Sequence, residues 1–487
     1  MKYKFLLLVM CFLVAACNRP MLQLPVTQTV PAVQVTDTAP ALTDTAAAPV
    51  PKSTQTPTVP RIAATPTSLP THTPTPRPTT TLKPTSTPYP TLAWCPVETA
   101  PATDSGTLRL VYTNQDKLYV RDEGGPVIQL AHSGNIIRIT ISDDGQIIAF
   151  TRQSDENHAE LWVINADGSN ERRVVSASVL AQLDGSTDSL GVLPTGLMWE
   201  PGSHHLIFGT YPVYDGIWVY EPSIYWLFDA DTDSLTTAPY HGGYIAYSPD
   251  GTQAAIFSMD GLNLVNVDGS NLRENILPSY HGIGEGESNY HPLPFWAPDS
   301  TSLLVALPDQ DDMYYSSQAS VTVWRVPVDG SPENLGQWNA FAPSVQFSPD
   351  QTYMAYWLWP QPAKNLRELH LVRLKGSTSG NGDNTIYMSD YLVSDAEWSP
   401  DSQHFMISTG DPENKVQLYL GHICQRPQLV YEFANGWYTF WMDASHYMLE
   451  VDSNDTTDQR ELHRGKLGQV QLEALGVVTS YAWTLLP

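Results

Sequence analysis

A single turn, repeated along the chain, is the strongest constraint on what this sequence can fold into. At its clearest it reads Ser248-Pro249-Asp250-Gly251, set between apolar runs at 244–247 and 254–257. Ser at the first position, Pro with its fixed φ at the second, Asp at the third and Gly at the fourth match the preferences of a type I turn. A third run follows at 262–267, and then Asp268-Gly269 supplies the positive φ that a tight hairpin needs. Residues 244–269 therefore read as a small antiparallel meander.

The turn returns as Ser142-Asp143-Asp144-Gly145, Glu200-Pro201-Gly202-Ser203, Ala297-Pro298-Asp299-Ser300, Ser348-Pro349-Asp350-Gln351, Ser399-Pro400-Asp401-Ser402 and, degenerate, Met442-Asp443-Ala444-Ser445. The seven copies are spaced 58, 48, 49, 51, 51 and 43 residues apart, and Trp199, Tyr247, Trp296, Phe347 and Trp398 immediately precede five of them. A period of this size, holding four strands, is the signature of propeller blades. The second turn recurs in Asn165-Ala166-Asp167-Gly168 and Val328-Asp329-Gly330-Ser331. These repeats resemble the TolB-like, WD40-related (PD40-type) propeller family, whose blades carry an "SPDG" and an "ADG" turn. The resemblance spans roughly residues 136–451; it implies the fold and says little about function.

The ends of the repeat predict how the ring closes. Three strands, at 108–113, 117–121 and 127–130, precede the first full repeat. After strands at 438–441, 446–451, 461–466 and 469–475, one apolar strand at 477–484 is left over. Pairing it with the N-terminal three removes the open edge that a sheet must otherwise protect. The expectation is an all-β propeller over 101–487, with four-stranded antiparallel blades numbering eight, or seven as the alternative.

Ahead of it, composition changes sharply. Lys2 and Lys4 open an apolar run from Phe5 to Val14 that ends Leu13-Val14-Ala15-Ala16-Cys17. This reads as a signal peptide over 1–16, with small residues before Cys17 as in a bacterial lipobox, where that Cys is acylated. Residues 20–96 contain 17 Pro, and 27–91 contain 20 Thr, so 17–100 reads as the lipid anchor followed by a disordered, extended linker. The expected location is extracytoplasmic, cell surface or periplasm, with membrane contact through the lipid alone.

The first 100 residues hold seven basic and three acidic side chains, and the remaining 18 basic against 48 acidic give residues 101–487 a formal charge of −30. Nucleic acid is not expected as a partner for such a surface. With Cys11 in the signal and Cys17 lipidated, Cys95 and Cys424 remain, and an oxidising compartment makes them a candidate disulfide.

In a four-stranded meander the repeated turns lie on one face, here the turn face. The second-to-third and blade-to-blade connections lie on the other, the loop face. Segments at 210–222, 238–243, 278–294 and 308–320 break the repeat and fall on the loop face. The candidate ligand-binding residues there are Tyr211, Tyr214, Trp218, Tyr240, His241, Tyr280, His281, Glu285, Glu287 and His291. Flat rings with polar tips suit a protein, peptide or glycan ligand, whereas the alternative is that they pack the loops.

The competing reading is a glycan lyase or hydrolase using these His and Glu loops. No ligand spacing matches a metal signature, so neither metal nor cofactor is expected. Asp229, Asp231 and Asp233 mimic the start of a calcium loop, but Ser234 and Tyr240 stand where its glycine and bidentate Glu belong, and a hairpin turn fits better. No catalytic residue is assigned, since the nearest match to a hydrolase elbow, Gly376-Ser377-Thr378-Ser379-Gly380, has Thr at its centre.

Overall fold

The computed structural model describes residues 106–131, 134–215, 224–258, 261–277, 292–309, 320–361, 366–374, 384–389, 396–410, 416–433, 438–452, 459–469 and 471–486. They form eight four-stranded antiparallel sheets, the blades of a β-propeller. Blade 2 occupies 135–175, blade 3 191–241, blade 4 244–277, blade 5 295–338, blade 6 346–389, blade 7 397–433 and blade 8 438–478. In each, strands that follow one another in sequence are neighbours in the sheet.

Blade 1 is the exception that closes the ring. Thr107–Asn114, Lys117–Asp122 and Val127–Ala131 are completed by Ser480–Leu486, which pairs antiparallel with the first of them, from Thr107 opposite Leu486 to Thr113 opposite Ser480. The surplus strand thus lies where the sequence predicts, but three residues later at its start. Val477 and Val478 instead finish the outermost strand of blade 8, Glu473–Val478, where they pair with Glu461 and Arg460. A bulge beside Leu462 and His463 sets that register. The break falls at Thr479, whose N–H donates to the Thr113 carbonyl at 2.8 Å.

The core lies between blades. Val111 and Leu118 of blade 1 pack with Ile148 and Phe150 of blade 2, and Leu161 and Val163 of blade 2 pack with Leu206 and Phe208 of blade 3. Likewise Phe257 of blade 4 joins Leu303 and Val305 of blade 5, and Met448 of blade 8 joins Leu108 and Leu110 of blade 1. A blade covered on both faces needs apolar side chains at consecutive positions of its inner strands. Accordingly Ser302–Pro308 is buried at every position after the first, whereas the outermost strand Arg273–Leu277 is buried only at Leu277.

The repeated turns satisfy themselves. In blade 4 the Gly251 N–H donates to the Ser248 carbonyl at 2.9 Å, and the Ser248 hydroxyl donates to Asp250 Oδ1 at 2.6 Å while accepting the Gln253 N–H at 2.9 Å. Ser142 and Ser348 do the same, donating to Asp144 and Asp350 at 2.7 Å each. The fourth residue is left-handed, with φ of 71° at Gly145 and 69° at Gly251, but also 60° at Ser300, 57° at Gln351 and 61° at Ser402. Those three non-glycines reach across to the preceding blade. Ser300 Oγ accepts the Asp250 N–H at 3.0 Å, Ser402 Oγ accepts the Asp350 N–H at 2.9 Å, and Gln351 Nε2 donates to the Phe295 carbonyl at 2.9 Å. The indoles before the turns add further staples, Trp296 to the Ala246 carbonyl at 2.9 Å and Trp441 to that of Glu397 at 3.0 Å.

Candidate functional site

The loop face is built from departures from this pattern. Between blades 2 and 3 the chain inserts the helix Ala177–Asp184, which the strand periodicity does not announce. Its boundaries are nevertheless encoded. Ser176 Oγ accepts the Val179 N–H at 3.3 Å at one end, and Gly185 with φ 74° ends the other. Leu180 is fully buried in the blade 2–blade 3 core and anchors the helix.

The insertion docks on blade 3 through polar contacts. Asp184 Oδ2 accepts the Thr210 hydroxyl at 2.7 Å, and the Leu190 N–H donates to the Val213 carbonyl at 2.7 Å. Leu190 itself is 53% exposed. Beside it, Tyr211 and Tyr214 are half-buried. Blade 2 meets this edge at Gly191, where a Cβ would stand 2.2 Å from the Asn157 carbonyl oxygen, so only glycine permits the approach. His158 Nδ1 lies 2.8 Å from Asp155 Oδ1 on the same blade 2 loop.

Tyr211 and Tyr240, expected in loops of this face, lie in strands. Tyr211 lies within the strand His205–Val213, opposite Leu193, because that strand runs on beyond the loop boundary expected at 210. Tyr240 requires a correction. It lies in the strand Ser234–His241 and is fully enclosed between blades 3 and 4, packed with Tyr225, Tyr247 and Ile256. Its hydroxyl donates to Glu200 Oε1 at 3.0 Å and sits 3.3 Å from that of Tyr247. Burial, and then the Glu200 carboxylate, push the Tyr240 hydroxyl far above its usual pKa, so it acts as a neutral donor.

The sequence signal for this was the missing serine. Glu200 stands where Ser248 stands in blade 4, and its longer side chain reaches into the blade 3–blade 4 seam. It also receives His205 Nδ1 at 2.7 Å, and that hydrogen bond raises the His205 pKa.

His241 ends its strand opposite Ile224. Trp218, Tyr280, His281, Glu285, Glu287 and His291 lie outside the described residues, as do Cys17 and Cys95. Cys424 is disulfide-bonded. Asp229 serves its own hairpin turn, accepting the Asp231 N–H at 2.9 Å. Among the described residues no group of three His, Cys, Asp or Glu side chains is arranged to hold a metal ion.

A second aromatic group, at the closure of the ring, was not singled out from the sequence. Phe440 of blade 8 stacks between Tyr481 and Trp483 of the closing strand, with centroids at 6.0 and 5.9 Å. Tyr112 stacks on Tyr119 at 5.4 Å, and burial raises the Tyr112 hydroxyl pKa. The Tyr481 hydroxyl donates to Glu450 Oε2 at 2.8 Å, and Arg460 pairs with the other oxygen of this carboxylate, which is 3% exposed. The alternation Tyr481-x-Trp483 in the leftover strand was the available signal. Its partner Phe440 becomes a neighbour only once the ring is closed.

No protein-family model matches the chain, and no curated protein matches it. Solved structures match it at low identity. One is that of a eukaryotic initiation factor, at 11% identity, covering 79% of this chain and 100% of its own, TM-score 0.48. A prolyl endopeptidase is 13% identical over 79% of this chain and 60% of its own, TM-score 0.43. TolB from Acinetobacter baumannii is 14% identical over 66% of this chain and 78% of its own, TM-score 0.31. Among the described residues no helix is long and apolar enough to cross a membrane.

Proposed function

We propose that this chain is an extracytoplasmic lipoprotein of TolB-like, PD40-type repeats, held to a bacterial membrane through acylated Cys17, whose loop face binds a protein, peptide or glycan without catalysing a reaction. The observation that carries the binding reading is the contrast at blades 2 and 3. There the turn-face polar groups are committed to one another, within a turn or across a seam, while the loop face presents Leu190 and the half-buried Tyr211 and Tyr214 on a rigid support. The anchor rests on the residues Leu13 to Cys17 and on the Pro- and Thr-rich stretch that follows.

The test is a glycan array and a pull-down from the native cell surface, followed by Tyr211→Ala and Tyr214→Ala. Each is expected to weaken binding several-fold, about 1 kcal/mol or more per lost ring contact, at little cost in stability. Tyr240→Phe, which alters only the buried seam, should leave affinity unchanged. Normal binding by both tyrosine variants would defeat the assignment to this face. For the anchor, Cys17→Ser should move the protein from the detergent to the aqueous phase.

A further inference from the structure

Three segments meet on the loop face where blades 2 and 3 adjoin: 153–158, 176–190 and 210–215. The Asn157 carbonyl comes so close to Gly191 that no Cβ fits between them, the Leu190 N–H donates to the Val213 carbonyl at 2.7 Å, and the Thr210 hydroxyl donates to Asp184 Oδ2 at 2.7 Å. They form one continuous patch. The loop after the helix is braced from within, the Ser186 N–H donating to Asp184 Oδ1 at 3.2 Å and the Ser186 hydroxyl to Ser189 Oγ at 2.9 Å. Leu190, 53% exposed, is thus held out to solvent on a supported backbone.

Charge sets this patch apart. Its three segments contain Asp155, Glu156, Asp184, Asp188 and Asp215, no lysine or arginine, and one imidazole, His158, which faces Asp155 at 2.8 Å. Elsewhere on the propeller arginine answers carboxylate: Arg109 pairs with Asp122 at 2.6 Å, Arg172 with Asp233 at 2.5 Å and Arg325 with Glu333 at 3.2 Å. Arg152 and Arg173, which border the patch in sequence, pair with Glu171 and Glu160 and lie over the Trp162 ring at 4.3 and 6.0 Å. Among the described residues no lysine or arginine pairs with Glu156, Asp188 or Asp215, and all three are exposed.

We infer that the occupant of this patch is a basic segment of a protein or peptide, one in which lysine or arginine stands beside an aliphatic or aromatic side chain. The inference rests on the binding reading proposed above and narrows it. An apolar side chain of such a segment covers Leu190, and its cations are matched by Glu156, Asp188 and Asp215, whose charges no described cation balances. Tyrosine rings such as those of Tyr211 and Tyr214 also attract a cation. Carboxylates around an apolar centre steer a cationic partner into place and reject an anionic one, which disfavours acidic glycans and anionic lipid headgroups. A neutral sugar would leave the carboxylates without a counterpart.

The test titrates the full-length protein, by fluorescence anisotropy, with a short synthetic peptide alternating lysine with leucine and tryptophan. Its counterpart with glutamate for lysine, and neutral chitin and cellulose oligosaccharides, are run beside it. The lysine peptide should bind at least about tenfold more tightly than the others at about 0.01 M salt, and lose that advantage at about 1 M, where the Debye length is about 3 Å. Glu156→Gln with Asp188→Asn should weaken it about threefold to tenfold. Glu274→Gln with Asp329→Asn, which changes the net charge equally at exposed sites on blades 4 and 5, should weaken it less than about twofold. Equal losses in the two pairs, or no binding of the lysine peptide, would overturn the inference. An oligosaccharide or the glutamate peptide that bound as well or better, and was lost in Tyr214→Ala, would overturn the basic class and leave the binding face standing. Lysine-peptide binding untouched by Tyr211→Ala and Tyr214→Ala would overturn the face itself.

Discussion

On the turn face, Ser142, Ser248 and Ser348 each donate to the Asp two residues on, and each accepts the N–H of the residue five positions ahead, at 2.9 to 3.0 Å. On the loop face the link from blade 2 to blade 3 runs from 176 to 190 and folds a helix of its own, held by Leu180 and by a hydrogen bond from Thr210 to Asp184. The difference teaches where the repeat spends its sequence. The serine–aspartate hydrogen-bond set can be copied from blade to blade because it closes within one turn, even where the fourth residue of the turn reaches to the preceding blade. An insertion needs only its two ends and one anchored apolar residue to be compatible with the ring, so the loop face is free to diverge.

The ring closure is shared by both faces, and breaking it should produce the largest effect. Removal of residues 479–487 takes away the partner of Thr107–Asn114 and the ring stack of Tyr481 and Trp483 on Phe440. It also strands the Glu450–Arg460 pair without the Tyr481 donor. Loss of cooperative thermal unfolding is expected, read by calorimetry. A truncated protein with an unchanged transition would mean that the ring stays shut without its last strand.

The same contrast governs what could be read from the sequence. The blade count, the strand order and the closing strand followed from the spacing of the turns and from counting strands at the two ends. Both are local properties of the chain. Tyr240 was misplaced because a tyrosine near a loop boundary looks the same whether its ring faces solvent or the next blade. Only the distance to Glu200, 40 residues away in sequence, separates the two. The helix at 177–184 escaped because eight residues are too few for a 3.6-residue period to stand out, although its serine and glycine caps were present. Phe440, Tyr481 and Trp483 escaped because they meet only across the closure.

A smaller effect should appear when the turn face alone is titrated. His204 joins blades 2 and 3, with Nε2 3.0 Å from Asp144 and Nδ1 2.8 Å from Asp231. Burial works against the charged ring, but the hydrogen bonds it donates to Asp231 and Asp144 outweigh it and raise the pKa. His205 is raised too, chiefly by its hydrogen bond to Glu200, with Asp229 and Asp231 adding to it. A raised folded-state pKa gives stability that is fully present below the unfolded value and is lost as pH rises through the folded one. The unfolding temperature should therefore fall as pH rises from about 6 through the raised values, and His204→Gln should flatten that slope. An unaltered slope in the variant would remove His204 from the account of the turn face.

The finest test separates a turn's own geometry from its contact with the next blade. Ser402 has φ 61°, a conformation that costs a residue with a Cβ about 1 kcal/mol relative to glycine. Its hydroxyl in return accepts the Asp350 N–H at 2.9 Å, and a single neutral hydrogen bond contributes about 1 kcal/mol. Ser402→Gly removes both terms, so urea unfolding should place it within about 0.5 kcal/mol of the parent. Gly251 occupies the equivalent place in blade 4, but there a Cβ would stand 2.7 Å from the Pro201 carbonyl oxygen of blade 3. Gly251→Ser should consequently lose about 1–3 kcal/mol, although it installs the residue that blade 7 already uses. If Ser402→Gly also lost more than about 1.5 kcal/mol, the bond to Asp350 would be worth more than an ordinary neutral hydrogen bond, and the turns would be coupled around the ring and not self-contained.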